Sequence, residues 1–163
     1  MQNGDFETGD FTGWTVSGDL TSVDPRVGVN GSYAASFGAE LPDFDILSQS
    51  LNVVAGQQYT LTFSAQTPEF GKVEDGHLGQ PNSLSVTFGG STVAAFDVPD
   101  SDGFTQYSYT VTGNPTNSLL TFDVSNAPSY TQSTISASRP MHRSPKPLRR
   151  SPSACCWRSG WAA

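Results

Sequence analysis

The sequence predicts an all-β domain of short antiparallel strands, and three observations predict it. Val, Thr, Tyr and Phe alternate with small polar residues, which places apolar side chains on one face of an extended chain and polar ones on the other. Gly, Asn, Asp and Pro interrupt that alternation at short intervals. No stretch of any length carries the apolar period of an amphipathic helix. Many short strands at this spacing close into a sandwich or a barrel, with half-buried strands in antiparallel sheets.

The elements follow in order. The opening word "NGDFETGDFTGW" (3–14) gives strands at 4–8 and 13–17. There Trp14 buries a large apolar surface beneath the first hairpin, and Gly4, Gly13 and Gly31 permit tight turns. Strands at 20–24, 33–37 and 45–53 come next. "QYTLTFSA" gives a strand at 57–65, with Tyr59, Leu61 and Phe63 on one face and Thr60, Thr62 and Ser64 on the other. "SLSVTF" repeats the device over 83–89 with Leu84, Val86 and Phe88, and 91–96 returns beside it. "FTQYSYTV" and "LLTFDV" complete the set at 104–112 and 118–124. Turn chemistry falls where hairpins need it, with "VAGQ" at 54–57, "GG" at 89–90, "PDSDG" at 99–103 and "GNPTN" at 113–117. The segment "TPEFGKVEDGHLGQPN" (67–82) lacks the alternation and is the longest loop; loops of that length are more often functional or mobile than structural.

Charge divides the chain in two. Residues 1–132 hold all fifteen acids against Arg26 and Lys72, a net −13, whereas residues 133–163 hold six bases and no acid, +6, which together give the net −7. The first part reads as one domain, long enough to bury a single core, and it contains no cysteine, so no disulfide holds it. A surface that acidic repels phosphates, which excludes nucleic acid as its partner. In the chain as written no run of about 20 apolar residues spans a membrane, and no secretory signal opens it. The basic tail 133–163 is poor in core residues and is expected to be disordered.

"NGDFETGDFTGW" is followed by "GSYAASF" (31–37), "LSQSLNVVAGQQYTLTFSA" (47–65) and "NSLSVTFGG" (82–90). In that order these words resemble a family of secreted bacterial proteins with a galactose-binding-like jelly roll, many of which end in a PEP-CTERM sorting signal. The resemblance covers residues 3 to about 130. It implies an antiparallel β-sandwich of the jelly-roll type. It also implies a structural calcium ion between the first strand and the last, since related jelly rolls commonly hold one there. Calcium takes six to eight oxygens from carboxylates and backbone carbonyls. Glu7 matches the family's first-strand carboxylate, and the backbone around Asn30 and Gly31 could add carbonyl oxygens. The family's last strand supplies an Asp in a word like "DDISV", and no such word stands here. The final strand is therefore expected to be lost or degraded, and the calcium site half missing.

A shift of reading frame accounts for that departure. Read one base out of frame from Gln132, the codons through Arg139 can spell V-D-D-I-S-V-T. The "HRSPK" stretch (142–146) permits a Pro-Glu word. Farther on the constraint hardens: Cys155 before Cys156, and Cys156 before Trp157, each force Leu, and Trp157 before Arg158 gives Ala where the arginine codon is CGN. The shifted frame thus restores the last strand with its Asp, then a Pro-Glu word and an apolar run of the sorting-signal kind. "MQNGDFE" begins where family members read something like "VQNGDFE" after a secretory signal, so the chain is expected to be cut at both ends. The intact parent is expected to be secreted or held at the cell surface, with sorting machinery a partner only for the restored frame. Two other readings of the tail are weaker. Clustered Arg with Pro and Ser suits nucleic acid or anionic lipid, and the adjacent Cys155 and Cys156 lack the spacer of metal or redox pairs.

The leading functional expectation is a non-catalytic extracellular module that binds carbohydrate or belongs to an exopolysaccharide matrix. The exposed aromatics that could stack on sugars are Phe44, Phe70 and Tyr130. A structural or adhesive surface domain without a small ligand is the alternative. A polysaccharide-acting enzyme would draw its paired carboxylates from Glu40, Asp43, Asp45, Glu69, Glu74 and Asp75, or use His77. No nucleophile motif such as G-x-S-x-G is present, "FGGST" being a hairpin turn. No catalytic residue is assigned.

Overall fold

Eleven strands form among the described residues: β1 Thr15–Ser17, β2 Ser22–Asp24, β3 Ala34–Phe37, β4 Asp45–Ser50, β5 Gln58–Gln66, β6 Ser83–Phe88, β7 Ser91–Asp97, β8 Thr105–Thr112, β9 Leu119–Ser125, β10 Ser133–Ser136 and β11 His142–Arg143. The structure, a computed structural model, describes residues 1–18, 22–24, 28–29, 33–39, 43–66, 82–98, 103–125, 133–136 and 142–143. Every strand pairing is antiparallel. The front sheet runs β1-β4-β9-β6-β7. The back sheet runs β2-β3-β10-β5, with β8 and β11 also paired to β5. β8 covers β5 along Gln58–Ala65, so β10 and β11 share its other edge. Among the described residues no helix is long and apolar enough to cross a membrane.

The period of two decides what each sheet buries. In the front sheet Leu47, Leu84, Val86, Leu120, Phe122 and Val124 point inward and are buried. In the back sheet Tyr59, Leu61, Phe63 and Ala65 do the same from β5. Their rings meet across the interior. Trp14 lies 5.8 Å from Phe6 and 6.2 Å from Phe122, and Phe122 meets Phe63 edge-on at 5.4 Å. Phe63 then stacks on Tyr107 at 5.4 Å, and Tyr107 lies 4.5 Å from Phe96 on β7. Offset and edge-to-face pairs of this kind are favourable beyond the area they bury. Trp14 is a core residue, as its place in the sequence implied.

The expected strand at 4–8 does not form; residues 3–9 turn instead. Asn3 and Phe6 take positive φ, 45° and 59°, and Phe6 is thereby driven fully into the core. The loop is held by its own polar side chains. Asn3 Nδ2 donates to the Asp10 carbonyl (2.9 Å), and Trp14 Nε1 donates to the Asn3 carbonyl (2.9 Å). Asp10 Oδ1 accepts from Thr8 Oγ1 (2.7 Å) and the Thr12 amide (2.9 Å). The Thr12 side chain first, then the Thr8 hydroxyl and the Thr12 amide, hold the Asp10 carboxyl below its ordinary range by hydrogen bonding. Buried Gln49 pins the loop to β4, since its Nε2 donates to the carbonyls of Gln2 (2.8 Å) and Gly13 (2.9 Å) while its Oε1 accepts the Gln2 amide (2.8 Å). Gly13 sits at positive φ; Gly4 does not, and Gly31 lies outside the described residues.

The other expected strands appear within a few residues of their places, and the "GG" turn joins β6 to β7 with φ of 59° and 76°. The slot for the last strand is filled, though only by four residues. Ser133–Ser136 pairs with β3 on one side and β5 on the other. It satisfies backbone groups that two neighbouring strands would otherwise leave open. Ile135 lies opposite both Ala35 and Ala65. A boundary placed at 132 on charge therefore falls just outside a strand of the back sheet. β11 continues along β5 with the register moved by two residues, because Ser136 pairs with Ser64 but His142 pairs with Thr60. Residues 144–163 lie outside the described residues.

Phe122 touches rings from both the loop and the back sheet. Phe122→Ala should cost about 3–5 kcal/mol, read by chemical denaturation, whereas Phe44→Ala, at a residue 45% exposed, should change stability by under about 0.5 kcal/mol.

Candidate functional site

The outward positions of the front sheet form the broadest patterned surface among the described residues. Register sets them in rows across the five strands. One row is Ser17, Ile46, Asp123, Ser85 and Ala95. The next is Thr15, Ser48, Thr121, Thr87 and Thr92. These side chains stand outward because Leu47, Phe122 and Val86, their sequence neighbours, are held inward. The surface is thus a field of hydroxyls around one carboxylate, Asp123, with no cationic side chain in either row. Two exposed apolar side chains bound it along the strands. Phe44 (45% exposed) precedes β4 on the same face, and Leu119 (44% exposed) opens β9. At about 3.4 Å per residue along the strands they stand roughly 20 Å apart.

Asp123 is half-buried on this face, and burial raises its carboxyl above the ordinary 3.8. The other carboxylate in the register on this face is Asp97, two strands across and two residues along, a backbone separation of roughly 12 Å. Paired-carboxylate hydrolysis works at separations of about 5–9.5 Å between the carboxyl groups. Beyond Asp123, Ser125 Oγ and Ser83 Oγ are 2.7 Å apart and hold each other.

The carboxylates singled out in the sequence are scattered. Asp45 belongs to the core, not to a loop surface: it is fully buried, which corrects its place among available loop acids. Its Oδ2 accepts the amides of Gly38 (2.9 Å) and Ala39 (3.0 Å) and so fastens the connection from β3 to β4. Its Oδ1 has no hydrogen-bond partner and faces Gly18 so closely that a Cβ there would collide with it. Asp43 and Phe44 are exposed. Glu40, Glu69, Glu74, Asp75, His77, Phe70 and Tyr130 lie outside the described residues.

Glu7 is exposed, and its Oε1 accepts the Tyr33 amide (3.2 Å), which ties the opening loop to the start of β3. Asn30 and Gly31 lie outside the described residues. One carboxylate is a small part of the six to eight oxygens calcium takes. Among the described residues no three His, Cys, Asp or Glu side chains gather to hold a metal.

No known protein family matches the chain by sequence, and no curated protein matches it. Solved structures do match it by shape. A family 16 carbohydrate-binding module superposes with a TM-score of 0.60 at 13% identity, over 88% of this chain and 97% of that one. The module TmCBM61, solved in complex with β-1,4-galactotriose, gives 0.56 at 20% identity over 84% and 93%. The enzymatically active domain of tailspike protein 4 from bacteriophage CBA120 gives 0.55 at 18% identity, over 84% of this chain but only 20% of that one. This chain thus spans a fifth of the phage protein and nearly the whole of the two modules. At these identities the likeness is one of fold: the chain is an antiparallel jelly-roll β-sandwich.

Burial fixes the sign of one pH effect. Asp123 keeps its proton to higher pH in the folded chain than in the unfolded one, so its own contribution to stability is greatest below the ordinary value of 3.8 and is lost as pH rises through the raised folded value. Asp123→Asn should therefore melt higher than the wild type at neutral pH, and the difference should vanish in acid. Thermal melts across pH read both.

Proposed function

We propose that this chain is a non-catalytic carbohydrate-binding module of an extracellular or cell-surface protein, and that it takes a neutral, hydroxyl-rich glycan on the outer face of the front sheet. One observation carries the reading. A five-strand face of Ser and Thr hydroxyls surrounds a single half-buried carboxylate, with no cation in its rows and an exposed aromatic ring at one end. Hydroxyls donate and accept, and a carboxylate accepts strongly, which matches a ligand whose every unit presents hydroxyl groups. Phe44 offers a ring on which a sugar's apolar face can lie. The fold supports the reading, since its solved relatives include a module crystallised with a galactotriose. The acidic body argues against nucleic acid.

Calcium and the sorting signal enter as proposals about the restored frame. Ser133 and Thr134 are the two codons that read Asp-Asp one base out of frame, and they open β10. We assign the missing calcium oxygens to these two positions, and the apolar run after the Pro-Glu word to a membrane-sorted parent. Calcium should raise the melting temperature of a Ser133→Asp/Thr134→Asp chain and leave that of the present chain unchanged. An equal response from both chains contradicts the assignment.

The binding proposal is tested on a glycan array and by affinity electrophoresis in polysaccharide gels. The wild type should be retarded by a neutral polysaccharide, and Asp123→Ala or Phe44→Ala should weaken binding by about tenfold or more without changing the fold. Retention on no glycan would favour a structural or adhesive domain. Release of reducing ends from any polysaccharide would mark an enzyme instead.

A further inference from the structure

Five strands end the two sheets among the described residues, and four of them are protected. β1 and β2 are three residues long and β11 two, too short to template a neighbour. β7 carries a bulge, since the register shifts at Val86/Thr87 and leaves Val93 unpaired, and it closes on Asp97. β8 is different. It runs for eight residues, Thr105–Thr112, without a charge, a proline, a glycine or an irregularity in its pairing to β5. Its outward residues Gln106, Ser108, Thr110 and Thr112 are exposed. Natural sheets guard an edge of this length with Lys, Pro, a bulge or a covering segment. No second strand pairs with β8 among the described residues.

We propose that β8 is a self-association edge, on which a second copy of this chain pairs antiparallel about a two-fold axis at Ser108. The sequence of the strand is self-complementary in that register. Ser108 meets its own copy, Gln106 meets Thr110, and Tyr107 meets Tyr109. The tyrosines argue for this choice. Both are partly exposed at the rim although they stack on Phe63 at 5.4 and 6.0 Å. The two-fold brings the four rings of a dimer into two cross-strand pairs, the arrangement that most stabilises neighbouring strands. Charge favours this line of approach: residues 1–132 carry −13, so two bodies repel where their acids face each other, and among the described residues β8 offers an eight-residue edge with no charge on it. An isologous contact of this kind closes at two copies, which separates it from open-ended aggregation.

The full 163-residue chain is followed by sedimentation velocity over a wide concentration range. The expected result is a reversible dimer. Gln106→Lys/Thr110→Lys sets like charges opposite each other across the axis and should weaken the dimer by about tenfold or more. Gln106→Lys/Thr110→Glu sets opposite charges there and should restore it. Both substituted positions are exposed, and unchanged melting temperatures confirm that the variants fold. A wild type that is monomeric throughout overturns the proposal. So does a double-lysine variant that dimerises like the wild type, or a folded charge-swapped variant that stays monomeric.

Discussion

Trp14, Phe122 and Phe63 meet ring to ring through the interior of this sandwich, and the placement of nearly every other element depends on that contact. Trp14 brings in the opening loop through Phe6, Phe122 belongs to the centre of the front sheet, and Phe63 belongs to the back sheet. The file continues through Tyr107 to Phe96, whose strands end the two sheets on one side. One connected set of rings therefore fixes the spacing of the sheets and closes the open side between their edges. Two buried polar side chains complete the frame. Gln49 holds the loop by three hydrogen bonds, and Asp45 holds the β3–β4 connection by two. Gln49 and the Oδ2 of Asp45 are bonded, and removing either side chain would orphan the amides and carbonyls it serves.

The functional face follows from the same constraint. With Phe122 locked inward, the period of two leaves Thr121 and Asp123 no direction but outward, and a slip of one residue would bury both. Register with β4 and β6 then spreads Ser48, Ser85 and Thr87 beside them. The packing that stabilises the core is thus also what preorganises the surface. A rigid sheet can present hydroxyls at strand spacing without the ordering cost a loop would incur.

Much of this was legible in the sequence because alternation is a local signal. "QYTLTFSA" and "SLSVTF" state their own inward and outward faces, and β5 and β6 lie where those words stand. The turn at Gly89–Gly90 is equally local. Other features were not local. "NGDFE" reads as extended, yet Asn3 and Phe6 bend it, because burying Phe6 against Trp14 outweighs the strain of positive φ. Asp45 looks like any loop acid until the Gly38 and Ala39 amides come round to meet it. Ser133–Ser136 carries too little apolar pattern to announce a strand, and its pairing comes from the open edges of β3 and β5. The rows around Asp123 could not be read either, since they require the pairing order β4-β9-β6, which strand patterns alone do not give.

Backbone amide shifts locate a ligand without presuming its identity, so the proposed sugar recognition on the front sheet is best read by a two-dimensional amide NMR titration of the labelled chain with a mixture of neutral gluco-, xylo- and galacto-oligosaccharides. The shifts should cluster on Ile46–Ser50, Ser83–Thr87 and Leu119–Asp123. Shifts confined to the turn at 113–117 or to the opening loop, or no shifts at all, would contradict it.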